Sequence, residues 1–253
     1  MRIKFITAFL FLFGGVLWAQ DRGMTKIPPT DAIQSYISET KEYAALFNGK
    51  IETPYDRVFI NHPYLGADQY VQGTLCYNEV VYHDIWMRLD LNRDELAVYS
   101  PDKRNRIVLE IEKFNYAVMN GFTIIASTNE SNVGSKYLLL LKDGAYPFVK
   151  QFRVTVKEEI QHLTLKRFFR FQEQYFLTVD GIAYPVKNKN AVLKLFPDRK
   201  KELNDFVKQQ KLRFNAQQFE QSMVALVKQC EKLSGGVQMT QMTQISANQM
   251  NEK

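Results

Sequence analysis

The sequence predicts a mainly β protein, an antiparallel sandwich or open barrel of about nine to eleven strands followed by two C-terminal helices. Three observations carry this. From Asn48 to Lys189 short alternating or apolar runs are separated by turn residues, with no helical period. Within that stretch Asn120-Gly121, Asp143-Gly144 and Asp180-Gly181 each sit between two apolar runs, and such pairs supply at little cost the positive φ that tight hairpins need. Past Pro197 the pattern changes to apolar residues three and four apart.

Taken in order, Arg2 and Lys4 precede an apolar run from Phe5 to Trp18 that ends at Ala19-Gln20-Asp21. A membrane-spanning helix needs about 20 apolar residues. This shorter run with its basic start therefore predicts a cleaved signal peptide over 1–19, and export. In the segment 20–47, Thr30 or Asp31 is placed to cap a helix from Ala32 to Leu46, although Ser, Thr and Tyr dilute its pattern, and helix and strand both stay open.

The β-rich domain spans 48–233 together with its helices. Asn120-Gly121 joins Phe114–Met119 to Phe122–Ala126, Asp143-Gly144 joins Tyr137–Leu141 to Tyr146–Val149, and Asp180-Gly181 joins Tyr175–Val179 to Ile182–Val186. Softer turns are expected at Asn78-Glu79 and at Asn92-Arg93-Asp94. The runs Asp143–Lys150 and Asp180–Lys187 echo each other with a one-residue shift, which fits two similar hairpins in one sheet. Asp198 is placed to cap a helix over about 199–210 with Leu203, Phe206 and Val207 inward. Asn215 with Gln218 forms a capping box for a second helix over about 216–233. Its stripe is Phe219, Met223, Leu226, Val227, Cys230 and Leu233, and Ser234-Gly235-Gly236 ends it. The tail 234–253 has no periodicity and is expected to be disordered.

Candidate chemistry is sparse. His62, His83 and His162 lie in unrelated contexts, and adjacent strand residues His83 and Asp84 point to opposite faces, so no metal site is expected. Asp90-Leu91-Asn92-Arg93-Asp94 opens like a calcium loop, but Glu95 stands where the loop needs Gly and Pro101 where it needs a bidentate Glu, which leaves a polar turn. Ser38-Glu39-Thr40-Lys41 fits an S-x-x-K pattern without its companion elements. Cys76 and Cys230 set no framework by themselves, and export makes a bridge between them chemically accessible. On a strand, Leu165, Arg167, Phe169 and Phe171 share one face and Lys166, Phe168 and Arg170 the other, an apolar side and a cationic side.

Charge is uneven. The chain carries 33 basic and 27 acidic residues; residues 20–149 are net −4 and residues 150–253 net +8. In an exported protein the basic half suits an anionic membrane surface or an acidic protein partner, and export argues against nucleic acid.

The runs Ala45–Lys50 and Gly73–Asp84, then Leu89-Asp90-Leu91 and Asp94-Glu95-Leu96, Lys136–Gly144, and Tyr175–Asn215 together resemble a family of exported Bacteroidetes proteins of unassigned function. These are strand and turn signatures, so the resemblance implies location and fold rather than activity. Glu79 stands where such sequences often carry a turn Gly, implying a looser hairpin.

The functional expectation is a non-catalytic binding or assembly component of the periplasm or outer membrane, with no cofactor, metal or catalytic residue assigned. The alternatives are a carrier of a small apolar ligand in a curved β cavity, and a hydrolase drawing on His83, Asp90 and Tyr82.

Overall fold

The computed structural model describes residues 45–56, 58–127, 133–161 and 164–235. The expected signal peptide, most of the segment 20–47, Ser38 to Lys41, His162 and the tail from 236 onward lie outside the described residues.

The strands are β1 (Lys50–Ile51), β2 (Val71–Tyr77), β3 (Val80–Asp90), β4 (Glu95–Tyr99), β5 (Arg106–Val108) and β6 (Phe114–Met119). They continue with β7 (Phe122–Ala126), β8 (Tyr137–Lys142), β9 (Phe148–Gln161), β10 (Thr164–Val179) and β11 (Ile182–Pro185). Three helices follow, α1 (Lys189–Leu195), α2 (Lys200–Gln209) and α3 (Phe219–Ser234). All the described strands belong to one open antiparallel sheet in the order β1-β5-β4-β3-β2-β6-β7-β8-β9-β10-β11, so the expected mainly β fold takes the form of a single open sheet.

Turn chemistry sets the registers. Asn120 and Gly121 both take positive φ, as do Asp180 and Gly181, and each pair closes a two-residue hairpin. Asn78 and Glu79 do the same at φ 52 and 64, so this hairpin is tight where a looser one was expected. It is held by Asn78 N–H donating to the Lys113 carbonyl and Glu79 N–H to Asn115 Oδ1. Asp143-Gly144 departs from expectation: five residues separate β8 from β9, so the two echoing segments close different turns. The cause is distant in sequence. The Glu231 carboxylate of α3 accepts from Tyr146 N–H and pairs with Lys142, and it lies against Gly144, which takes φ 129.

The sheet curls until the β3–β4 turn meets strands that are far from it in strand order. Asn92 Nδ2 donates to the Val154 carbonyl, and the Asp94 carboxylate accepts from the N–H groups of Lys136 and Tyr137. The enclosed first core draws Leu75 and Tyr77 from β2, Met87 and Leu89 from β3, Phe114 and Met119 from β6 and Leu139 from β8. Leu46, in a short 3-10 turn at Ala45–Phe47, joins it.

The second core forms where the helices cover the ends of β9 to β11 around Phe148, Leu177 and Val186. In α2 the expected Leu203 and Val207 are buried, while Phe206 is only half-buried. In α3 Met223, Leu226, Val227 and Cys230 are buried, and Gly235 ends the helix in the left-handed region. Gln218 N–H donates to Asn215 Oδ1, the first half of the expected capping box, but the helix itself starts at Phe219. Helix α1 is an addition to the two expected, capped by Asn188 Oδ1 accepting from Ala191 N–H and burying Val192 and Leu193.

Candidate interaction surface

Between β1 and β2, residues 52–56 and 58–70 form a strap. Where β2 stops pairing with β3, Tyr64 bridges Asp90, with Leu65 N–H donating to the Leu89 carbonyl and Leu91 N–H to the Pro63 carbonyl. Earlier in the strap, Ile60 N–H donates to the Arg167 carbonyl of β10. The Asn61 amide imitates a strand residue there, donating to the Phe169 carbonyl at 2.9 Å and accepting from Phe169 N–H at 2.7 Å. Phe59 stacks on Phe169 with centroids 4.4 Å apart, and Tyr55 meets both edge-on.

An ion cluster anchors this strap. Period-two alternation sends Met87 and Leu89 into the first core and Trp86, Arg88 and Asp90 to the other side of β3. The Arg88 guanidinium lies 3.6 Å from the Tyr64 ring centroid and 4.5 Å from that of Tyr70. It donates to both Glu52 oxygens at 2.9 and 3.1 Å and to Asp68 Oδ1 at 2.8 Å. Tyr70 Oη donates to Glu52 as well, and Arg106 Nε stands 3.5 Å from it. Burial together with the neighbouring Glu52 carboxylate pushes the Tyr70 hydroxyl far up, which keeps it protonated. Asp90 is likewise pushed up by burial, against the lowering effect of bonds from Arg93 N–H, Tyr55 Oη and Asn92 N–H. Its Oδ1 is thereby committed to holding the turn and the strap.

Beyond the strap a two-stranded arm extends. β8 pairs with β9 only as far as Lys150, whereas β9 and β10 remain paired out to Gln161 and Thr164. One face of the arm carries Val154, Val156, Glu158 and Ile160 opposite Phe171, Phe169, Arg167 and Leu165. The other carries Arg153, Thr155, Lys157 and Glu159 opposite Gln172, Arg170, Phe168 and Lys166. The expected split into an apolar and a cationic side therefore holds, with Arg167, paired to Glu158 at 2.6 Å, as the exception on the apolar face. Phe169 is buried beneath the strap, but nothing among the described residues covers the outer end: Ile160 is 78% exposed and its cross-strand partner Leu165 52%. An exposed apolar pair at the end of an uncovered ribbon is a candidate interaction surface.

At the base of the arm Lys150 Nζ lies 2.8 Å from both Glu173 and Glu220, and Tyr175 Oη lies 2.7 and 2.9 Å from the same two carboxylates, which share its one proton. Burial works to raise Glu173, but Lys150 and Tyr175 outweigh it and hold its carboxyl below the usual range. This cluster ties α3 to the sheet between the two cores.

The sequence-level candidates do not converge. His62 belongs to the strap, its Nδ1 accepting from Tyr64 N–H. His83 is exposed beside Thr74, and Asp90 lies seven residues further along β3, roughly 20 Å away. Tyr82 packs against the first core. Cys76 and Cys230 are both buried free thiols, the second pushed up to about 12 by burial. The residues that sequence reasoning missed are Glu52, Asp68, Arg88 and Arg106. Their one local signal is a charged residue at the centre of the strand run Trp86-Met87-Arg88-Leu89-Asp90, an expensive place for a charge without a partner. No family model matches the chain, and no curated protein or solved structure matches it.

Proposed function

We propose that the protein is a non-catalytic binding component, exported to the periplasm or the outer membrane, that docks on an anionic membrane surface through the tip of the β9–β10 arm. The observation that carries this reading is the exposed Ile160–Leu165 pair at the end of a ribbon with five basic and two acidic residues between Arg153 and Arg170. Burying an Ile or Leu side chain is worth about 1.5–3 kcal/mol. Each Lys or Arg near an anionic leaflet adds about 1 kcal/mol. Two apolar side chains and a net charge of +3 on the ribbon thus support weak, reversible, salt-sensitive attachment. Leu75, Tyr77, Met87, Leu89, Leu96 and Ile124 all turn buried side chains into the first core, and this supports a surface-binding role over carriage of an apolar ligand inside the sheet.

The test uses protein recovered from an exporting host, with its start at or near Gln20 checked by intact mass. It is sedimented with phosphatidylglycerol-containing vesicles and with pure phosphatidylcholine vesicles. The expected result is binding to the anionic vesicles alone, reduced at least about tenfold in Ile160→Asp/Leu165→Asp and weakened by added salt. Equal partition of parent and variant, or equal binding to neutral vesicles, overturns the proposal. Capture by an acidic protein partner without vesicle binding overturns the membrane reading as well.

A further inference from the structure

A cavity of about 440 Å³ opens beside the ion cluster, walled by Tyr70, Trp86, Arg88, Tyr99, Lys103 and Arg106. The sheet register assembles it. Met87 faces Val98, which sets Trp86 beside Tyr99, and Tyr99 in turn faces Arg106. Tyr70 closes the aromatic wall, its ring 4.1 Å from that of Tyr99. The Lys103 ammonium lies 4.5 Å from the Trp86 ring, and no carboxylate pairs with it among the described residues.

Two independent features of this cavity ask for a ligand. Arg88, Arg106 and Lys103 outnumber Glu52 and Asp68 by one positive charge, and all three cations line the cavity together with Asp68. The Arg88 side chain is only 8% exposed, yet its Nε has no hydrogen-bond partner among the described residues. A buried N–H without an acceptor carries a desolvation cost that a bound acceptor removes. A second cavity of about 290 Å³ also has Asp68, Arg88 and Arg106 in its wall, so the Arg88 side chain borders two hollows.

We propose that this cavity binds a ring-bearing anion, a sugar acid or a sugar phosphate, with its ring against Trp86 and Tyr99 and its anionic group held by Lys103 and Arg106 beside Arg88. Aromatic side chains provide the flat apolar contact that a sugar ring needs, and Arg and Lys provide charge-assisted bonds to carboxylate or phosphate. The site is separate from the arm and does not depend on membrane docking.

Trp86 is a built-in reporter. The chain has two tryptophans, Trp18 and Trp86, so in a full-length chain carrying Trp18→Phe the fluorescence comes from the cavity wall alone. Titration with glucuronate, glucose 6-phosphate, glucose and inorganic phosphate separates the contributions. The expected result is a saturable change in Trp86 emission with one or both ring anions, at least about tenfold weaker with glucose and with inorganic phosphate, and a matching rise in melting temperature. Lys103→Gln is expected to weaken the ring anion at least about tenfold while changing the ligand-free melting temperature little, because Lys103 is exposed, forms no ion pair among the described residues and keeps only a surface contact with the Trp86 ring. Arg106→Gln is expected to do the same to binding. A saturable response equal for inorganic phosphate and ring anions would reduce the site to a simple anion pocket and overturn the proposal. No saturable response, or full binding in Lys103→Gln, also overturns it.

Discussion

Glu79 stands in the left-handed region at φ 64, where a Cβ costs about 1–2 kcal/mol. Its neighbour Asn78, at φ 52, is one of the few non-glycine residue types that tolerate this backbone, so the strain of the β2–β3 turn falls on Glu79. Two hydrogen bonds from the turn, to the Lys113 carbonyl and to Asn115 Oδ1, hold it closed despite that cost. Both use backbone N–H groups of the turn and so survive a change of side chain. Glu79→Gly relieves the left-handed strain while adding freedom to the unfolded chain, and the balance is a gain of about 1 kcal/mol. A melting temperature a few degrees above that of the parent chain is the expected readout. Arg88 shows the opposite economy at the same scale: a charge forced to the middle of a strand is tolerated because two carboxylates and two aromatic rings surround it.

At the scale of elements, helix α3 packs on the sheet of its own chain. Leu226 is fully buried among Phe148, Leu177 and the other helices, and Glu220 and Glu231 tie each end of the helix to β9, β10 and the β8–β9 loop. Leu226→Ala is therefore expected to cost about 2–5 kcal/mol in denaturant unfolding, the range for a truncated core leucine. The helix was legible in the sequence because its stripe repeats for four turns and ends at Gly235. Helix α1 was not, since seven residues after a β hairpin show too little periodicity, and its one local sign was Asn188 as a cap. Asn120-Gly121 and Asp180-Gly181 were legible to the residue, because positive φ is decided locally. Asp143-Gly144 misled because Glu231, far along the chain, decides the shape of that loop. The strap was invisible for the same reason: its residues have no period of their own, and Glu52 and Asn61 find their partners on β3 and β10. The two faces of the arm were readable from alternation, but its exposure was not, because that depends on where β8 stops.

For the whole molecule, the two cores are not independent. β9 sends Phe148 into the second core and Phe152 against the first, on one continuous strand, with Lys150 and its two carboxylate partners between them. Melting either core unzips a strand that the other requires. Residues 45–235 are accordingly expected to unfold in one step. In the Trp18→Phe chain, denaturant curves from Trp86 emission, which reports β3, and from helical circular dichroism, which reports α1 to α3, should superimpose; separated midpoints would show two cooperative units.

The strand order also divides the chain in time. β1 to β5 all come from the first part of the described sequence, and β1 returns to pair with β5, so this portion leaves two open edges, the two-residue β1 and the longer free side of β2. Wherever the chain emerges N-terminus first, those strands can assemble before β6 follows, and β2 then waits as a templating edge for whichever strand arrives next. Because β6 follows β5 after only five residues, the intended strand reaches that edge at high local concentration, ahead of any foreign one. The brevity of that linker is thus a safeguard against intermolecular pairing while the protein is half made.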